Sequence, residues 1–478
     1  MASDQNSQLL TFFTTMDNQG GVIVRDIPKL DLDLYISNYQ GRTRFERLLL
    51  IGKCSVTLCL DGLKAAVSEA KRGKDVQRYR EAWECIRLAA PTENEAQWDD
   101  AWVASTGTSN RATTHQLEAE LKQYKNNLVK ESIRIGHRDL GEHLEAIGKL
   151  KEAGDAYIKM RPDASTQHHI LDVGRHVISV MLQKRDWAGV LLNISKVMST
   201  NLSPEEQIIE QPYQKMVSGL AYLGSEKYTE AAKSFLEVGD PIICQRYNNV
   251  ASTNDVATYG GLLALACMDR TELQSRVLDS STFRSYLELE SHIRKAVSMF
   301  VNGRYSACLA ILESYRADYL LDVYLQKHVN TIFSMIRSKC ITQYFLPFSC
   351  VTLESMNEAF AKPGESLEAE LVTMIKSGAL KARINTIDRL LVAVSTDARA
   401  AMQSKGLETA RSYEKEALER IRRMSLAAAE LDVRGHSKKG AASSGGAGIL
   451  PGVGDIWSSD DSRRAMNLGD ILSTERTG

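Results

Sequence analysis

The chain has 478 residues, 43% hydrophobic and 25% charged, the profile of a soluble globular protein of about three domains. A net charge of −1 shows no overall basic surplus of the kind that grips a polyanion. No run of about 18 apolar residues is present and the start "MASDQNSQLLTFF" has no basic segment, which argues against a membrane span and a secretory signal.

Residues 1–30 read as a flexible N-terminus, and 31–110 as an N-terminal helical block. Within the block, "DLDLYISNYQGRTRFERLLLIGKC" and "LKAAVSEAKRGKDVQRYREAWECI" place apolar residues at helical spacing. "QWDDAWVASTGTSNRATT" (97–114) reads as a polar loop that closes it.

Residues 111–345 carry a repeat. "GKLKEAGDAY" (148–157), "EKYTEAAKSF" (226–235) and "GRYSACLAIL" (303–312) share a bulky third position followed by small residues. With "RDWAGVLLNI" and "DRTELQSRVL" between them, those positions are Leu150, Trp187, Tyr228, Thr271 and Tyr305, in steps of 37, 41, 43 and 34. The period predicts helical hairpins of the tetratricopeptide kind, stacked into a superhelix. Each hairpin exposes an apolar face that only its neighbours cover. Ala153, Gly154, Ala231, Ala232 and Ala307 let the paired helices approach closely.

Residues 346–396 predict a winged helix. Thr352 caps a helix carrying Leu353, Met356 and Phe360, Pro363–Gly364 turns the chain, and Ser366 caps a second helix that stops at Gly378. "LKARI" and "RLLVAV" then form a hairpin around Asn385–Asp388. The second helix carries Glu368 and Glu370 on its outer surface, which phosphates would repel. The wing bases Lys381, Arg383 and Arg389 are too few to reverse this. Its outer strand, with Arg383 and Ile384, offers an edge to another protein instead.

One long helix is predicted over 397–432. Ala410, Tyr413, Ala417, Ile421, Met424, Ala428 and Leu431 recur at spacings of three and four, close to a coiled-coil seam. The candidate partner-binding residues are therefore Lys381, Arg383, Ile384 and Arg389 on the wing and Tyr413, Ile421, Met424 and Leu431 on the helix. Residues 433–478 read as a Gly/Ser-rich flexible tail, with a candidate short motif at 455–472 around Ile456 and Trp457.

No catalytic, cofactor or metal site emerges. The nine histidines include no His-x-His or His-Glu-x-x-His, and "GEHLEAIGKL" has the wrong spacing for a phosphate loop. None of the eight cysteines forms a Cys-x-x-Cys pair, and most sit in apolar helical patterns, as reduced core thiols do. The expected fold class is all-α: helical-hairpin repeats, then a winged helix with a β-hairpin, then a long C-terminal helix.

"YKNNLVKESIRIGHRDLGEHLEAIGKLKEAGDAY" (124–157) resembles the PCI-domain proteins that scaffold the proteasome lid and the COP-nine signalosome. Tyr39, Gly41, Arg42, Thr43, Arg47, Leu48 and Leu49 resemble an element of the signalosome branch. "MRPDASTQHH" (160–169) departs from the family pattern, and the tail does not map onto it. The resemblance implies a non-catalytic scaffold, in the nucleus and cytoplasm, of a complex that removes a ubiquitin-like modifier from cullin–RING ligases. It implies other PCI subunits and a separate metalloprotease subunit as partners, with cullin–RING ligases as further candidates, no cofactor and no membrane. It also implies joining through winged helices and a bundle of C-terminal helices. A proteasome-lid or translation-initiation PCI scaffold, and a winged-helix nucleic-acid adaptor, are the competing readings.

Overall fold

The computed structural model describes residues 2–199, 204–361, 366–394, 398–429 and 431. The expected Pro363–Gly364 turn and the 433–478 tail lie outside them. The chain divides into two units, one ending at Val394 and one beginning at Ser395.

The first unit opens with helices Ala2–Asn18, Leu32–Ser37, Gly41–Cys54, Cys59–Arg72 and Val76–Ala89. The first of these corrects the expectation of a flexible N-terminus. Leu9, Phe12, Phe13 and Met16 recur at helical spacing, and Phe12 and Phe13 are buried in a core with Phe45, Leu48, Leu63, Tyr79 and Ile86. The loop expected at 97–114 is also helix, Asp100–Asn127, so the expected boundary at 110 falls inside a continuous element. Asp99 caps it by accepting from the Trp102 amide at 3.0 Å. Thr108 and Thr114 return their hydroxyls to the carbonyls of Ala104 and Asn110, both at 2.8 Å, which spares the backbone from competition by these side chains.

The repeats follow as hairpins. Lys130–Ala146 pairs with Leu150–Lys159, Gln167–Gln183 with Trp187–Met198, Pro204–Gly224 with Tyr228–Leu236, and Ser291–Val301 with Tyr305–Ser314. Four of the five bulky positions read from the sequence are the first residues of second helices. Each is preceded, two residues earlier, by a left-handed residue: Gly148 (φ 87°), Arg185 (59°), Glu226 (62°) and Gly303 (75°). The next amide then bonds back five residues. Lys149 N donates to Leu144 O at 2.9 Å, Asp186 N to Met181 O at 3.0 Å, Lys227 N to Tyr222 O at 2.9 Å, and Arg304 N to Met299 O at 2.8 Å. This is one Schellman turn used four times.

Thr271 departs from the series. It sits in the single turn Arg270–Glu272, which runs into a π-type turn at Leu273–Leu278. Small residues seat the partner helix, as expected: Ala153, Ala231 and Ala232 are fully buried. A side chain at Gly219 would stand 2.8 Å from the Phe235 ring.

The stack ends at helix Val329–Phe345 and a small antiparallel sheet of β1 (Cys350–Thr352), β2 (Ala382–Asn385) and β3 (Leu390–Ala393), in the order β1–β3–β2. The sequence pattern had shown only the β2–β3 hairpin, because β1 is three residues long. Helices Leu353–Phe360 and Glu368–Lys376 pack on it through buried Leu353, Met356, Phe360, Leu371 and Met374. Thr352 caps the first, its Oγ1 accepting from Ser355 N at 3.2 Å, and Gly378 ends the second at φ 76°. Six of the eight cysteines are buried; Cys267 is half-buried and Cys350 exposed. The second unit contains helix Ala398–Ala428.

The shared turn makes a prediction. A Cβ at Gly148 would be strained by its φ and would lie 2.4 Å from Asp75 Oδ2, whose carboxylate caps helix Val76–Ala89. Gly303 has the same φ problem, but its nearest neighbour is the Arg270 guanidinium at 3.4 Å. In urea unfolding, Gly303→Ala is expected to cost about 1 kcal/mol and Gly148→Ala clearly more. Equal losses would show that the Asp75 contact is immaterial.

Candidate functional site

The element Tyr39–Leu49 faces inward, onto the stack. Gly41 opens its helix at φ 61°, and Thr43 donates to the Asn249 carbonyl. Arg47 is fully buried. Its Nη1 donates to Asp322 at 2.6 Å and its Nη2 to Asp255 at 2.8 Å. The Tyr35 hydroxyl also accepts from Nη1, and the guanidinium lies 4.1 Å from the Tyr39 ring centroid.

The carboxylates are held in turn. Asp255 accepts from Tyr39 OH at 2.7 Å and from the Ser252 amide at 3.0 Å, closing the capping box of helix Thr253–Cys267. Asp322 accepts from Tyr259 OH at 2.8 Å and from the amides of Tyr324 and Leu325, each at 2.9 Å. Burial works against the Asp322 charge, but Arg47 and these donors hold its pKa below the usual range. One buried cation thus joins three stretches of chain more than 200 residues apart at the widest. Sequence reasoning named Arg47 only as part of a resemblance. The signal it missed was an arginine between Phe45, Leu48 and Leu49 on the buried side of a helix.

A cleft of about 840 Å³ lies between the N-terminal block and the stack. Its charges largely engage one another or nearby groups: Arg42 with Glu46 at 3.5 Å, Arg78 with Asp75 at 3.4 Å, and His176 with Asp172 at 3.4 Å. Glu145 accepts from Tyr157 OH at 2.8 Å and Ser179 Oγ at 2.9 Å. This pattern is that of a structural seam. Among the described residues there is no cluster of three or more potential metal ligands, and no helix is long and apolar enough to cross a membrane.

The wing residues gather on one hairpin. Asn385 Oδ1 accepts from the amides of Ile387 and Asp388 at 3.1 and 3.4 Å, and Arg389 adopts φ 53°, which together make the turn. Lys381, Arg383 and Arg389 are exposed, and Ile387 at the tip is 91% exposed. Ile384 packs against the core, because alternation along β2 turns Ala382 and Ile384 inward, so its strand offers a partner its backbone edge. Glu370 departs from the expected outward position. Instead of facing solvent it takes two bonds from Arg337 Nε, at 2.9 and 3.0 Å, tying the second winged-helix helix to Val329–Phe345. Both β1 and β2 have one strand neighbour, β3, so each leaves an outer edge among the described residues.

In the second unit, Tyr413, Ile421, Met424 and Leu431 are 74, 59, 61 and 68% exposed. Met402, Leu407 and Leu418 are exposed too, at 79, 62 and 60%. The described helix, Ala398–Ala428, is slightly shorter than the expected 397–432.

Comparison with known proteins places these features. A family model described as 26S proteasome subunit RPN7 matches residues 99–276, and a PCI domain model matches 312–394. COP9 signalosome complex subunit 1 of Neurospora crassa is 49% identical across 90% of this chain and 95% of its own length. The chain belongs to the COP9 signalosome subunit 1 family. The subunits of that name from Emericella nidulans and Arabidopsis thaliana are 46 and 34% identical, each across 86% of this chain and across 85 and 92% of their own lengths. The RPN7 match spans the long helix and most of the hairpins, and the PCI match runs from the end of the stack through β3. In this signalosome subunit 1 homologue the Arg47 element lies outside both matched ranges and packs onto the RPN7-like stack at Asp255.

The clamp can be tested directly. Arg47→Met leaves two carboxylates buried without their cation, which is expected to cost about 3–5 kcal/mol in denaturant unfolding of the full chain. Adding Asp255→Asn and Asp322→Asn, which removes the uncompensated charge while keeping an acceptor for the tyrosine hydroxyls and amides, should recover part of that loss. A single-variant loss under about 1 kcal/mol would show that the N-terminal block is held by its other contacts.

Proposed function

We propose that this chain is a non-catalytic scaffold subunit of a COP9 signalosome, the complex that removes a ubiquitin-like modifier from cullin–RING ligases. Its direct partners are other PCI subunits, met through the wing edge and a bundle of C-terminal helices. The chemistry belongs to a separate metalloprotease subunit, cullin–RING ligases are candidate contacts of the assembly, and the chain acts in nucleus and cytoplasm. The observation that carries this reading is helix Ala398–Ala428, whose large apolar side chains stand in solvent. At 100° per residue, Met402, Tyr413, Met424, Ile421, Leu407 and Leu418 fall within an arc of about 160°. A two-stranded coiled coil uses a narrower seam, so the width suits a helix that packs against more than one neighbour. An uncovered stripe of this size is a liability in a lone protein.

Burying each large side chain contributes roughly 1.5–3 kcal/mol, and a carboxylate placed there adds a desolvation cost. Ile421→Asp combined with Met424→Asp is expected to abolish co-purification with the other signalosome subunits while leaving the melting temperature of the isolated chain unchanged. Normal co-purification would remove the helix from assembly. A fall in the melting temperature would show instead that the stripe packs on its own chain. Purified alone, the chain should release no modifier from a modified cullin; release with contaminating protease excluded would overturn the scaffold reading.

A further inference from the structure

One border of the apolar arc carries a basic row. Helix Ala398–Ala428 holds seven basic and four acidic residues, in a chain whose net charge is −1. On the helical projection the arc ends, on one side, at Leu407 and Leu418. The next row outward is Arg411, Lys415 and Arg422, spaced four and seven residues apart. Glu408 and Glu419 lie beyond that row, farther from the arc; Glu416 lies toward the Met402 border, and Glu414 projects within the arc between Ile421 and Leu407, where it is outnumbered by the three bases. All three bases are exposed, and none makes an ion pair within 4.0 Å, whereas Arg423 pairs with Glu419 at 2.6 Å. A helix that packs on the Leu407–Leu418 side of the arc therefore meets three cations along its flank.

Resting on the assembly reading above, we propose that the occupant of this side is a partner-subunit helix with an acidic flank. That helix presents Asp or Glu at matching intervals of four and seven residues, beside its own apolar seam. Flank pairs of this kind set which helices associate and in what register, more than they set the gross affinity. A second copy of this chain fits poorly. Antiparallel packing of two copies through the same edge would lay one basic row against the other, and like charges that close repel.

The test uses the full chain co-expressed with the other signalosome subunits of the same organism. Two variants are compared with the wild type: Arg411→Gln/Lys415→Gln/Arg422→Gln, and the same three positions changed to Glu. All six substitutions sit on exposed helix positions, and the melting temperature of each isolated variant checks that folding is retained. The neutral variant should assemble about tenfold more weakly at 100 mM salt, with less dependence on salt than the wild type. The Glu variant should assemble more weakly still. In the wild-type complex, a zero-length amine-to-carboxylate cross-linker should join Lys415 to an Asp or Glu of a partner subunit's helix.

The inference is overturned if both variants assemble with wild-type affinity and salt dependence. It is overturned also if Lys415 joins no partner carboxylate, or if the isolated chain self-associates through this helix irrespective of charge at these positions. The assembly reading is judged separately. Loss of assembly in Ile421→Asp/Met424→Asp alongside normal behaviour of the charge variants would leave the helix as an assembly element and reject the acidic flank. Normal assembly of all of them would reject both.

Discussion

The buried guanidinium of Arg47 is the contact on which the layout of the first unit turns. Removing an arginine and two carboxylates from water is expensive, and the attraction between them repays that cost only with good geometry. Here the fork of Arg47 reaches Asp255 with one nitrogen and Asp322 with the other, and the hydroxyls of Tyr39 and Tyr259 with several amides satisfy the carboxylates' remaining lone pairs. An apolar side chain at position 47 would tolerate many small shifts of the N-terminal block. A charge that must meet two fixed carboxylates tolerates very few. The clamp therefore specifies register as much as it stabilises, and it does so where a helix cap, Ser252–Asp255, is already rigid.

From that anchor the stack extends by repetition. Each hairpin closes through the same left-handed residue and five-residue back-bond, so the angle between its helices is set locally by backbone geometry. Glycine supplies that conformation at 148 and 303, while Arg185 and Glu226 adopt it at a cost of about 1 kcal/mol each. The tolerance of those two positions for side chains explains why the repeat looked degenerate in sequence. What remained visible was the bulky residue two places later, which packs at least partly against the core in all four hairpins, whereas the turn accepts several residue types. Thr271 was misplaced for the same reason: the period alone pointed there, with no left-handed turn beneath it.

Legibility followed the range of the interaction. Helix periodicity, the Thr352 cap, the Gly378 stop and the β2–β3 hairpin are written within a few residues of themselves, and the sequence showed them. The strand β1 and the partnership of Glu370 with Arg337 depend on residues more than 30 positions away, and these were missed. The long helix Asp100–Asn127 was missed for another reason. Its threonines, serines and asparagines have low helix propensity in isolation, but here hydroxyls bond back to the preceding turn and Trp102 and Val103 pack against the N-terminal core. Among the candidate site residues, the face that Ile384 takes was not legible, because the side-chain alternation of a four-residue strand cannot be phased without its partner.

The two units solve the problem of apolar surface in opposite ways. In the first, every hairpin covers its neighbour, the N-terminal block packs against the stack at Asp255 and Asp322, and the winged helix follows its last helix. Its large buried side chains form a nearly continuous core from Leu171 to Leu391. Among its described residues the second unit shows no such closure: its helix is 31 residues long, and its large side chains stand exposed. A sequence that builds such a core and then leaves a wide apolar arc, bordered on one side by bases, is not failing at packing. On the assembly reading proposed above, that surface is covered by other chains. The basic row beside Leu407 and Leu418 is the part of that surface proposed above to discriminate among partner chains.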